Sequence, residues 1–260
     1  MKQMIFTETT RKIITYSIYV IFAGYTLQKI ILEQSISGKI AYGILLFIFL
    51  GIAGWAEYLR LLYHHMIYSQ TIICDPEKAR YYYHILRKKD FFKSYQHTLL
   101  IFDILYHQDL NESETCIQIL ENNQKVFKSS LDHLLIRNFT YFYSYYQLNN
   151  RTKIKKYYPE VLKMKGTKIK GHKVSPLYNW EFIEGLYLYC LKDYKKSIHA
   201  FQNVNTQYMN NRELTQYYLA FGKAYRELHD NKHANVMFSK AIQTGNKLSY
   251  CKEAKAYLQI

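Results

Sequence analysis

Hydrophobic and polar positions divide this chain into two unequal parts. Ile13 to Leu32 is a run of twenty residues whose only charge is Lys29. The polar link Glu33-Gln-Ser-Ile-Ser-Gly-Lys39 follows, and Ile40 to Ala56 adds seventeen residues without a charge. A bilayer core of roughly 30 Å takes about 20 apolar helical residues. The pattern therefore predicts two membrane-spanning helices, about 13–32 and 40–58, forming an anchor over 13–62 behind a short N-terminus, 1–12. A cleaved signal peptide would be followed by mature polar sequence; a second apolar run within eight residues argues against one. Gly24, Gly43, Gly51 and Gly54 are small enough to let the spans approach closely. Tyr16, Tyr19, Trp55 and Tyr58 fall where amphipathic rings favour the inner interface.

Cytoplasmic flanks are enriched in Lys and Arg. The two outer ends of the pair offer Lys2, Arg11, Lys12 and Arg60, against Lys29 and Lys39 on the turn side. The expectation is a multi-pass protein of the cell membrane with two spans and both termini in the cytoplasm.

Beyond residue 62 the apolar positions recur at helical spacing, as in Leu99, Ile101, Phe102, Leu105 or Phe238, Ala241, Ile242. The second helix is expected to run through Met66 and break between Thr71 and Asp75. Asp75-Pro76-Glu77 starts a new helix: Asp caps free amides, Pro fits the first turn and Glu favours the positive helix end. Helices are predicted at about 76–88, 91–108, 112–125, 130–147, 151–164, 177–191, 194–208, 211–228, 231–244 and 247–258, with no strands. Pro159 sits where it would interrupt a helix. Gly166, Gly171 and Pro176 mark a basic linker over 166–176 between divergent helical hairpins (75–165) and a final group of helices (177–260).

That final group carries a pattern. Tyr218-x2-Phe221-Gly222-x2-Tyr225, then Ala234-x3-Phe238 and Ala241, resembles a tetratricopeptide repeat. A preceding unit, Gly185-x2-Leu188, Tyr194, Ser197-x3-Phe201, keeps the same register 37 residues earlier. In it Ser197 replaces alanine, Glu184 stands where an apolar residue should precede Gly185, and Trp180 is one place from the expected aromatic position. The family period is 34, so the connection 205–211 is about three residues longer than the family's. Lys89-Asp90-Phe91-Phe92-Lys93 echoes Lys192-Asp193-Tyr194-Lys195-Lys196 upstream. The resemblance implies an all-α fold, a right-handed solenoid of helix pairs behind the anchor, with 247–258 as a capping helix. It implies repeat packing by Gly185, Tyr194, Phe201, Gly222, Tyr225, Ala234, Phe238 and Ala241, a face that binds proteins or peptides, and no chemistry.

Composition adds three things. Three prolines and ten glycines favour helix over a turn-rich β design. The four cysteines, Cys74, Cys116, Cys190 and Cys251, form no CxxC pair and read as buried free thiols of a reducing compartment. The 28 tyrosines, with abundant Lys, Ile and Asn, fit an A+T-rich genome and aromatic helix packing. Of the net charge of +15, the stretch 151–173 supplies +8. Its cations are Arg151, Lys153, Lys155, Lys156, Lys163, Lys165, Lys168, Lys170 and Lys173, against Glu160. Such a concentration attracts nucleic acid or anionic lipid, and Tyr157 and Tyr158 offer rings on which a base could stack.

No Gly-rich phosphate loop, GxSxG elbow or HExxH motif occurs. His229-x3-His233 has metal-like spacing but straddles a turn, and Cys190 with His199 lacks an activating arrangement. No catalytic, cofactor or metal residues are assigned, and an enzyme is not expected. The pattern points to a membrane-anchored cytoplasmic scaffold or adaptor for a protein or peptide partner. A second reading is a membrane-tethered nucleic-acid binder. In general plan that reading looks like membrane-anchored phage-resistance (abortive infection) proteins of low-G+C Gram-positive bacteria. A third is an accessory subunit whose spans pack on a transporter or secretion machine.

Overall fold

A computed structural model describes residues 2–169, 172–173 and 177–259. The linker positions Lys170, Gly171 and Pro176 lie outside the described residues. The chain divides into two compact units, Met1–His64 and His65–Ile260.

Two long helices make the first unit, α1 (Lys2–Leu32) and α2 (Ile36–Thr71), the latter running on into the second. Their link is shorter than the seven polar residues predicted. The Ser35 hydroxyl accepts from the Gly38 amide at 2.9 Å and so starts α2 at Ile36. A Cβ at Gly38 would sit 2.6 Å from the Glu33 side chain, which would have to move aside. Among the described residues α2 alone is long and apolar enough to cross a membrane, and none of its most apolar stretch is buried. In α1 the residues Thr15, Tyr16, Tyr19, Tyr25, Thr26, Gln28 and Lys29 dilute the apolar run. The two helices touch through large side chains: Phe22 on Phe49 at 4.1 Å, Tyr19 on Phe49 at 5.8 Å, and the Tyr16 hydroxyl donating to Glu57 at 3.3 Å. The glycines are therefore not the contact. A Cβ at Gly24, Gly43, Gly51 or Gly54 would meet nothing within 4 Å.

The second unit is helical: α3 (Pro76–Lys89), α4 (Gln96–Asp109), α5 (Ser113–Asn122), α6 (Gln124–Phe127), α7 (Leu131–Gln147), α8 (Arg151–Leu162), α9 (Trp180–Cys190), α10 (Tyr194–Gln202), α11 (Asn211–Glu227), α12 (Asn231–Gly245) and α13 (Ser249–Leu258). Starts follow the capping residues. Asp75, Ser130, Asn150, Asn179, Asp193 and Asp230 each accept a backbone amide of their first turn, and Asn210 with Glu213 forms a reciprocal capping box. Pro159 is accommodated near the end of α8.

Four boundaries differ from the pattern. Helix α4 begins five residues later than predicted, because the Asp90 carboxylate takes the amides of Ser94 and Tyr95 (2.9 and 2.7 Å) and folds 90–95 into a turn. Asn123 leaves helical geometry and divides the predicted 112–125 helix. Helix α10 stops at Gln202, and Asn205 caps a 3-10 turn, Thr206–Tyr208, that takes up the longer connection. Finally, where no strand was expected, β1 (Lys168–Ile169) pairs antiparallel with β2 (His172–Lys173).

Helices α7 to α13 share one core, including Phe142, Ile154, Ile183, Phe201, Phe238 and Leu248. Ile104, Leu120, Phe127 and Tyr141 form a smaller one under α4 to α7. Most helices pack on their chain neighbours. The unit's first residues also meet its last helices. Lys247 N–H donates to the Cys74 carbonyl (3.1 Å), and Asn246 and Asn211 side chains donate to Ile73 and Ile72 (2.9 and 2.7 Å). In α13, Tyr250 is buried and its hydroxyl donates to the Gln108 carbonyl in α4 at 2.9 Å.

Candidate binding surfaces

Two antiparallel pairs, α9/α10 and α11/α12, repeat one contact. Gly222 lies under the Phe238 ring, where a Cβ would sit 2.6 Å from it, and Gly185 lies in the same way under Phe201. Ala234 and Ala241 are fully buried on α12, and Tyr225 stacks on Phe221 at 4.8 Å. Ser197, in the place Ala234 takes one unit later, is buried and donates its hydroxyl to the Gly185 carbonyl at 2.8 Å, so its polarity is satisfied. Glu184 faces solvent while Phe182 and Ile183 on either side of that face are buried. Tyr194 is half-buried against Tyr189 at 5.5 Å.

A cleft of about 310 Å³ opens beside these pairs, walled by Leu105, Phe139, Tyr178, Trp180, Tyr208 and Met209. Its rim is set locally. Asn179 caps α9 and so fixes Tyr178 and Trp180, and the 3-10 turn holds Tyr208 and Met209. Phe139 stacks on Tyr178 at 3.8 Å. Below it lies a buried polar network. The Arg212 guanidinium donates from Nε to Asp109 at 2.7 Å and from Nη2 to Gln108 at 3.1 Å. Gln70 donates to the other Asp109 oxygen. Gln216 donates to the Tyr250 hydroxyl at 3.0 Å. Asp109 is fully buried and Arg212 nearly so. Burial pushes the Asp109 carboxyl up to about 6, against the opposing pull of Arg212 and Gln70. It remains ionised at neutral pH. Burial alone would lower the guanidinium, but the Asp109 charge carries it above its ordinary value.

The cleft and this network went unassigned in the sequence, since Asp109 and Arg212 lie 103 positions apart. One signal was available. Arg212, Thr215, Gln216 and Leu219 form the buried stripe of α11, and a lone arginine on such a stripe needs a buried partner.

Basic segment 151–173 is divided between several elements. Arg151, Lys153, Lys155 and Lys156 are exposed on α8, Lys163 follows it and pairs with Glu160, and Lys165 lies over the Trp180 ring at 5.9 Å. Lys168 and Lys173 are register partners in the short ladder, and Lys170 lies outside the described residues. The tyrosines are engaged in packing. Tyr158 stacks on Tyr187 at 3.7 Å, and Tyr157 on Tyr141 and Tyr145 at 4.7 and 5.6 Å. Burial, aided by Glu184 and Tyr187, raises the Tyr158 hydroxyl to about 12. Tyr158→Ala is therefore expected to lower the melting temperature by loosening α8 from α9, an aromatic pair contributing about 0.5–1.5 kcal/mol beyond its buried area. Unchanged melting would return that ring to the surface.

All four cysteines are free and buried, and burial pushes the Cys190 thiol up to about 12, so it stays protonated. His233 pairs with Asp230 at 2.7 Å, and no group of three metal-type ligands occurs among the described residues.

No protein family, curated protein or solved structure matches this chain.

Proposed function

We propose that this chain is a membrane-anchored cytoplasmic scaffold that holds a protein or peptide partner in the cleft above Arg212. In this reading α1 and α2 cross the bilayer as a two-span hairpin, with both termini in the cytoplasm. The second unit is a tetratricopeptide-like array of helix pairs, and binding rather than catalysis is its work. The observation that carries the reading is the cleft: preorganised aromatic walls beside a few fixed polar groups are what small recognition sites share. The repeated glycine-under-phenylalanine contact supports the helical-repeat part.

Photocrosslinking tests it. Benzoylphenylalanine placed at exposed Tyr208 of the full chain should give protein adducts that survive nuclease and vanish with Trp180→Ala. The same probe at exposed Lys195 should give none. Equal adducts at both sites, or none at either, would count against the cleft.

A polyanion-binding role for 151–173 is the second reading, favoured by the exposed cations of α8. It now rests on charge rather than stacking. Affinity for single-stranded RNA or DNA should fall steeply with salt, because each neutralised phosphate releases counterions. Lys165→Glu with Lys168→Glu should flatten that slope; a slope unaltered by the pair would remove the segment from the interface.

A further inference from the structure

Three side chains of the buried polar network, Gln108, Arg212 and Gln216, also wall the cleft. Hydrogen-bond polarity decides what each has left to offer. Ionised Asp109 can only accept, and it takes Arg212 Nε–H and the Gln70 amide. Arg212 can only donate, so its bond from Nη2 fixes the Gln108 side-chain oxygen as the acceptor and leaves the Gln108 NH2 group over. The Tyr250 hydroxyl spends its proton on the Gln108 main-chain carbonyl, so Gln216 donates to it and keeps an unused Oε1. Arg212 Nη1, Gln108 Nε2 and Gln216 Oε1 therefore have no hydrogen-bond partner among the described residues, yet none of the three atoms is sealed from solvent. Two donors and one acceptor, on side chains otherwise buried, face the cleft.

Charge favours an uncharged occupant. Asp109 offsets Arg212. The other charged walls among the described residues, Glu181 and Glu213, stand in the first turns of α9 and α11, where they answer the positive ends of those helices. Lys165 rests against the Trp180 ring and is not a wall of the cleft. A carboxylate entering would face Asp109, Glu181 and Glu213 with one guanidinium between them. An ammonium would meet two donors at the floor. A carboxamide carries an acceptor and a donor in one plane without charge, which matches the floor.

We propose, granting the cleft as the partner's site, that the partner enters it with the side-chain carboxamide of a glutamine or asparagine. The amide oxygen accepts from Arg212 Nη1 and Gln108 Nε2, and the amide NH2 donates to Gln216 Oε1. The aromatic walls cover the aliphatic part of that side chain and exclude water from the bonds. Asp109 acts as a positioning residue, holding the guanidinium edge towards the ligand. Discrimination follows from the floor: a residue of similar size without the amide would leave these buried groups unpaired.

Random heptapeptides displayed on phage are selected on the full chain in detergent micelles. The recovered peptides should share a glutamine or asparagine, and should cross-link to benzoylphenylalanine at Tyr208. A synthetic copy should bind about tenfold more weakly when that residue is changed to glutamate or to methionine. Gln216→Met keeps the volume but removes the acceptor. It should weaken the carboxamide peptide about tenfold and its methionine counterpart hardly at all, a split that loss of the fold could not produce. Equal weakening of the two peptides would overturn the proposal. So would peptides that cross-link at Tyr208 and depend on Trp180 yet tolerate glutamate or methionine at every position; these would leave the cleft as a binding site. Peptides indifferent to Trp180→Ala, or no enrichment, would reject the cleft reading and the carboxamide with it.

Discussion

Replacing Arg212 with leucine is expected to destabilise the helical domain by about 3–5 kcal/mol at pH 8, the usual cost of stranding one charge of a buried pair. The carboxylate of Asp109 would keep Gln70 as a donor but lose the guanidinium paired with it. Its folded pKa, already about 6 from burial, should then climb further, while the unfolded chain keeps a value near 3.8. A carboxyl raised on folding binds its proton more tightly in the native state, so stability rises as pH falls from the folded value towards the unfolded one. The penalty should therefore shrink between pH 8 and pH 5. Asp109→Leu combined with Arg212→Leu should cost much less than the two single changes together, because neither charge is left alone. Thermal melting of the detergent-solubilised full chain across this pH range checks it. A penalty independent of pH, or strictly additive changes, would mean that the pair is not coupled as described.

The second large effect concerns the crossing of α11 and α12. At Gly222 even a methyl group would sit 2.6 Å from the Phe238 ring, and Ala234 on the facing helix has no exposed surface. Overpacking of a filled core costs about 1–3 kcal/mol, and Gly222→Leu and Ala234→Trp should lie at or beyond the top of that range. Gly185→Leu should behave alike, since Phe201 occupies the same place one pair earlier. Lys240, exposed on α12 with its ammonium 5.4 Å from the Tyr218 ring, is the contrast: Lys240→Ala should cost no more than about 0.5–1 kcal/mol. Equal melting shifts for Ala234→Trp and Lys240→Ala would show the crossing to be loose.

These two sites differ in how legible they were. The glycine and phenylalanine positions could be read because helical spacing places small and large residues on facing stripes, and the 37-residue register repeats them. Helix starts were legible for a similar local reason, as at Asp75-Pro76 and Asp230. Boundaries failed where a side chain preferred the backbone next to it: Asp90 bonds two amides and delays α4, and Asn123 ends α5. The cleft could not be read at all, since Leu105, Phe139, Trp180 and Tyr208 meet only through the docking of distant helices. Nor could the fate of Tyr157 and Tyr158. A basic stretch with two tyrosines looks the same in sequence whether the rings face a ligand or, as here, the neighbouring helices. The same limit applies to the small residues of the apolar segment, where Phe22 and Phe49 rather than the glycines make the contact.

In the proposed arrangement an apolar N-terminal segment holds a helical domain on the cytoplasmic side of a membrane. Protease is added to intact protoplasts bearing a C-terminal epitope, with a detergent-permeabilised sample alongside. The epitope and the fragment containing residues 65–260 should survive in intact protoplasts and be digested only after permeabilisation, and alkaline carbonate should leave the protein in the membrane pellet. Digestion to a membrane stub in intact protoplasts, or release of the whole chain by carbonate, would contradict it.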